Sequence, residues 1–136
     1  KSKGYISDTG LACYLHKLST PEALSNNPLF GSLFETFCIN MIYSVFNEHM
    51  QPLAYHWRSN GGAEVDLILE MNGIMYPIEI KSRSSLTKFD SRGIRAFMDT
   101  YPSQKIAPGV IIYTGDQYYK LDNDIYAIPW NMLCDL

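Results

Sequence analysis

The chain has 136 residues, 46% of them hydrophobic and 13% aromatic, with 14 acidic against 11 basic side chains and a net charge of −3. That suits one compact domain with a real core, and the mild acidity argues against a protein that coats nucleic acid by bulk charge while leaving room for a local basic surface. The charge-free stretch Thr36 to Asn47 is too short for a bilayer span, and no cationic, apolar, small-residue run marks a signal peptide, so no membrane partner is expected.

In chain order, Ser7-Asp8-Thr9 reads as a helix cap before Leu11, Ala12, Tyr14, Leu15 and Leu18. Ser19 to Pro28, with two prolines and Ser-Asn-Asn, reads as a linker or surface loop. Leu29 to Met50 predicts a long helix. Strands follow at Leu53 to Arg58, Glu64 to Met71 and Gly73 to Lys81, separated by Asn60-Gly61-Gly62 and Asn72-Gly73 turns. After the Ser-rich connection Ser82 to Ser91, Ile94, Phe97, Met98 and Tyr101 mark a helix from Arg92, which Pro102 ends. Gly109 to Thr114 is the most continuous apolar strand and is expected at the centre of the sheet. Tyr118 to Leu121 and Ile125 to Ile128 suggest a final hairpin, with a helical turn after Pro129. The expected fold is α/β: helix, three strands, helix, strand, with a mixed central sheet and a short N-terminal helical segment.

Cys13, Cys38 and Cys134 are odd in number and too widely spaced for a zinc knuckle or CxxC pair, so they are read as buried thiols in a reducing, cytoplasmic setting. His16, His49 and His56 lack zinc-ligand spacing. Tyr55, Trp57, Tyr113, Tyr118, Tyr119 and Tyr126 are expected in the core or in cross-strand pairs.

The chemistry concentrates in Glu64 to Lys81. An Asn72-Gly73 hairpin turn sets Leu67 opposite Ile78 and Asp66 opposite Glu79, with Lys81 sharing the face of Glu79 and the odd residues Val65, Leu67, Leu69 and Met71 filling the other. Two facing carboxylates repel, and a divalent cation such as Mg²⁺ offsets this. A neighbouring lysine can orient or deprotonate the water such a cation activates, which is an arrangement for phosphodiester hydrolysis. The plainer alternative is a solvent-facing strand in which Glu64 pairs with Lys81. Glu35, on a helical stripe with Ile39, Ile42 and Phe46, projects toward the body of the domain and needs a partner there.

This set, Glu35 in the first long helix, Asp66 in the second strand and Glu79-Ile80-Lys81 in the third, resembles the PD-(D/E)xK nuclease superfamily, with Val65 where the namesake motif has proline. The resemblance implies a restriction-endonuclease-like core. It also implies coordination of Mg²⁺ or Mn²⁺ by Asp66, Glu79 and the Ile80 carbonyl, with Glu35 joining directly or through water, and Lys81 at the attacking water. Ser7-Asp8-Thr9-Gly10-Leu11, Gly31-Ser-Leu-Phe-Glu35, the Trp57-Arg58 to Glu64-Val-Asp66 segment, Ile78-Glu-Ile-Lys81, Gly93-Ile-Arg-Ala-Phe97 and Ala127-Ile-Pro129 further resemble the C-terminal domain of unknown function of bacterial and archaeal predicted AAA-type ATPases. That implies a piece of a longer polypeptide, with residues 1–28 the tail of an upstream winged-helix segment and linker, and 29–136 the nuclease-like domain. The expected partners are DNA and the upstream ATPase and winged-helix domains.

Arg83, Lys88, Arg92 and Arg95 follow Lys81 with only Asp90 opposing them, and Arg58 precedes the Asn60-Gly61-Gly62 turn; these five are the candidate nucleic-acid contacts, against the alternative of an ordinary solvated loop. The leading expectation is a metal-dependent nuclease-like domain acting on DNA. Its alternatives are a catalytically silent DNA- or protein-binding regulatory module, and a structural domain through which the chain self-associates as a homo-oligomer.

Overall fold

The computed structural model describes residues 4–46 and 52–135. Its helices are α1 (Thr9–Leu15), α2 (Pro21–Ser25), α3 (Phe30–Ser44) and α4 (Arg92–Thr100), and its strands are β1 (Leu53–Arg58), β2 (Glu64–Met71), β3 (Ile74–Lys81), β4 (Gly109–Tyr113), β5 (Tyr119–Asp122) and β6 (Ile125–Pro129). The fold is mixed α/β on a six-stranded mixed sheet of order β1-β2-β3-β4-β6-β5. β1, β2 and β3 form an antiparallel meander, β4 pairs parallel with β3 and β6, and β5 closes the far edge antiparallel to β6. No helix among the described residues is long and apolar enough to cross a membrane.

Local signals account for most boundaries. Asp8 caps α1 by accepting the Leu11 amide at 2.8 Å. Asn72 and Gly73 both adopt positive φ, 53° and 73°, the backbone of a tight two-residue hairpin turn. The expected linker instead contains α2, because Thr20 accepts the Ala23 amide at 3.1 Å and Pro21 supplies a preset first-turn φ. The long helix is observed from Phe30 to Ser44, and its expected end at Met50, like His49, lies outside the described residues.

Each sheet face carries one core. Phe34, Cys38, Ile39 and Ile42 of α3 pack on Leu67, Leu69, Ile80 and Ile112, while Ile94 and Phe97 of α4 pack on Val65, Ile68, Ile111 and Ile125. Consecutive Ile111 and Ile112 are thus buried on opposite faces, as expected of a strand covered on both sides. The N-terminal segment docks on α3: Asn40 Nδ2 donates to the carbonyls of Ile6 and Ser7 at 3.0 and 3.1 Å.

Further expectations need correction. Tyr55 pairs with Ile68 and Trp57 with Val65, so β2 advances three residues while β1 advances two. This extra residue breaks the alternation and sends Val65 to the α4 side while Leu67 stays on the α3 side. Among the thiols only Cys38 is buried; Cys134 is exposed on the terminal 3-10 turn and Cys13 is half-buried. Of the aromatics, Trp57 packs edge-on against Phe97 in the core, while Tyr118 is exposed yet stacks on Tyr126 at 6.0 Å, and Tyr55 is exposed on the edge strand.

Candidate active site: a buried carboxylate pair and a basic cleft

The hairpin ladder runs in the expected register from Met71 opposite Ile74 to Leu67 opposite Ile78. There it stops. One step further, at the bulge, the Asp66 side chain turns to accept the Ile80 amide hydrogen on Oδ2 at 2.9 Å. Bulges re-aim side chains in this manner beside functional sites. Asp66 and Glu79 are 6% and 5% exposed, two carboxylates held close in the interior. Burial pushes the Glu79 carboxyl up to about 7, the Asp66 charge acts in the same direction, and Lys81 opposes both.

Lys81 Nζ donates to Glu79 Oε1 at 2.5 Å. Glu79 Oε2 is buried and has no hydrogen-bond partner among the described residues. Glu64 does not pair with Lys81; it lies 3.9 Å from both Arg58 and His56. Glu35 is half-buried, and its Oε1 accepts from the Tyr5 hydroxyl at 3.2 Å, an oxygen that also lies 3.5 Å from the Asp66 carbonyl. Tyr5 therefore bridges α3 and β2 at the site. Ile80 enters through its amide hydrogen. Among the described residues no group of three or more His, Cys, Asp or Glu side chains is arranged to hold a metal ion.

Glu79 and Lys81 open into a cleft of about 310 Å³, whose further lining includes Glu64, Arg58, Arg83, Phe89 and Arg92. Gly93 lets α4 approach β2 here: a Cβ at this position would sit 2.0 Å from the Glu64 carbonyl oxygen. Of the five candidate cations, Arg58, Arg83 and Arg92 reach the cleft. Arg83 is engaged by the buried Asp90, Arg95 is paired with Asp122 on β5 at 2.8 Å, and Lys88 is exposed outside the lining. Only part of the basic run thus serves the site.

Sequence reasoning missed Tyr5, Phe89 and Asp90. Nothing local marks Tyr5, which comes from a distant segment. Asp90 was readable, since Thr87 and Asp90 form a capping box in which Asp90 Oδ2 accepts the Thr87 amide at 2.8 Å.

A second cavity of similar volume is apolar and lies where Thr9, Cys13, Leu24, Leu33 and Phe37 meet Trp130. It holds no acid or base.

Residues 30–133 match the model of a domain of unknown function, DUF4143. Two uncharacterized proteins, one from Mycobacterium bovis and one from Mycobacterium tuberculosis, are each 33% identical over 127 residues, covering 93% of this chain and 27% of theirs. The chain thus spans about a quarter of the length of these curated relatives. No solved structure matches it significantly. The chain belongs to the DUF4143 family.

Proposed function

We propose that this DUF4143 domain is a divalent-cation-dependent nuclease-like module of the PD-(D/E)xK type, acting on DNA phosphodiesters within a larger cytoplasmic ATPase. One observation carries the reading: two carboxylates, Asp66 and Glu79, are buried close enough for the Asp66 charge to act on Glu79, Glu79 lines the cleft beside Lys81, and one Glu79 oxygen lacks a hydrogen-bond partner among the described residues. Such a pair is costly unless something offsets it. The donor set fits a hard, oxygen-preferring cation of the Mg²⁺ type, which takes one or two carboxylates and keeps several waters.

Asp66 and Glu79 would hold that cation, with the Ile80 carbonyl and Glu35 as the further donors the family resemblance suggests. When bound, the cation supplies Lewis acidity toward a phosphoryl oxygen and lowers the pKa of a coordinated water. The chain's own groups do the remainder. The Ile80 amide fixes the Asp66 carboxylate, and Lys81 brings a positive charge to the cleft wall where a phosphate's negative charge grows during hydrolysis. Arg58 and Arg92 provide backbone phosphate contacts at the rim.

A second reading, a catalytically silent binding module, draws support from the 2.5 Å contact that occupies the Lys81 amine with Glu79. Calorimetric titration with Mn²⁺, together with cleavage of branched and linear DNA, separates the two. The proposal expects Mn²⁺ binding that Asp66→Asn weakens and cleavage that Lys81→Ala abolishes. Absence of Mn²⁺ binding, with an Asp66→Asn, Lys81→Ala double variant behaving as wild type on DNA, rejects it.

A further inference from the structure

Phe89 occupies an unusual place for a phenylalanine. It lies in the 3-10 turn Lys88–Ser91 on the wall of the cleft that holds Glu79 and Lys81, and it is 67% exposed. The Arg92 guanidinium lies 4.6 Å from its ring centroid. The turn itself is held firmly. Asp90 closes the capping box with Thr87 and pairs with Arg83, and Ser91, fully buried, donates to Asp122 Oδ2 at 3.0 Å.

We propose that Phe89, backed by Arg92, is a stacking platform for an unpaired base, and that the cleft therefore takes single-stranded DNA in preference to duplex. The inference rests on the nucleic-acid reading of this cleft and specifies its substrate. An aromatic ring beside cationic side chains is an arrangement by which proteins bind single strands, because every base offers a π-face while a paired base has its faces covered by neighbours. This cleft sets Arg58, Lys81, Arg83 and Arg92 against Glu64, Glu79 and Asp90, and Arg92 is the cation at the ring. The guanidinium over the ring adds a charge that a backbone phosphate can meet. Anchoring of the turn by Asp90 and Ser91 means that little ordering remains to oppose binding.

Fluorescence anisotropy tests this in EDTA, where cleavage does not intervene, using fluorescein-labelled oligothymidylate and a blunt duplex as probes with the whole chain. Phe89→Ala is expected to weaken oligothymidylate binding by about tenfold or more with duplex binding little changed. Phe89→Trp is expected to retain affinity and to show indole quenching on titration. An unchanged thermal transition in both variants keeps folding out of the comparison. The proposal is overturned if wild type fails to bind oligothymidylate, if Phe89→Ala binds it as wild type does, or if both probes weaken equally. Because no cation is present, base stacking with failed Mn²⁺ binding would reject only the metal-dependent function, and the reverse result would reject only the platform.

Discussion

The Asp66 carboxylate and the Ile80 amide meet at 2.9 Å across the hairpin, beyond the point where backbone pairing between β2 and β3 ends. The side chain thus supplies the acceptor for a buried strand amide. Asp66→Ala should therefore leave a buried N–H unsatisfied and cost about 1–3 kcal/mol. Asp66→Asn keeps an acceptor oxygen and should lose much less. Urea unfolding of the two variants checks this, and equal stability of both would remove the structural role assigned to that bond.

A second expectation concerns acid and base. Glu79, pushed up to about 7 from an ordinary value of 4.5 by burial and by Asp66, binds its proton more tightly in the folded chain than in the unfolded one. Its contribution is therefore fully favourable below about 4.5 and is lost as pH rises through about 7. In metal-free protein Glu79→Gln should remove this loss, raising stability at pH 8 relative to wild type by on the order of 1–3 kcal/mol. The gap should close toward pH 4. Thermal unfolding across that range in EDTA measures it, and a pH-independent difference between the two proteins would contradict the assignment.

These two positions also show how far the sequence could be read. The Asn72-Gly73 turn fixes the hairpin register because both residues tolerate positive φ, so Leu67 and Ile78 pair as the residues imply. The 3.6-residue spacing of Ile94 and Phe97 likewise marks the buried face of α4. The bulge was not legible. It depends on how β1 and β2 match over Tyr55 to Trp57, a non-local fit with no glycine or proline to announce it. The Tyr5 bridge to Glu35 and the exposure of Phe89 are long-range outcomes of the same kind. The carboxylates and lysine were visible as residue types at a spacing, whereas the splitting of the basic run depended on Asp90 within it, legible from its capping box, and on Asp122, which arrives from distant β5.

The thiols should differ sharply in reactivity. Burial, with Cys134 adding to it, pushes the Cys38 thiol up to about 12, so at pH 8 its thiolate fraction is on the order of one in ten thousand. Cys134 is exposed. Iodoacetamide at pH 8 should label Cys134 readily and leave Cys38 unmodified until the chain unfolds, as peptide mass mapping would report. Native labelling of Cys38 at a comparable rate would mean that the α3 core opens far more easily than its packing implies.

Gly93 sets a contest between propensity and space. Replacing a helical glycine by alanine ordinarily gains about 1 kcal/mol by restricting the unfolded chain and favouring the helix. Here the added Cβ would meet the Glu64 carbonyl oxygen at 2.0 Å, and that oxygen belongs to the backbone at the start of β2, so no rotamer change relieves it. Overpacking of this kind typically costs about 1–3 kcal/mol and here has to move α4 as a unit, so the clash should win. Gly93→Ala is therefore expected to destabilise and to disturb the cleft that Arg92 and Glu64 line together. Gly61→Ala is the control, since its nearest neighbour would be Ser59 Oγ at 3.8 Å, an ordinary contact. Denaturant midpoints for the two variants decide the matter: a Gly93→Ala chain as stable as wild type would show that α4 does not sit against β2 as closely as the structure has it.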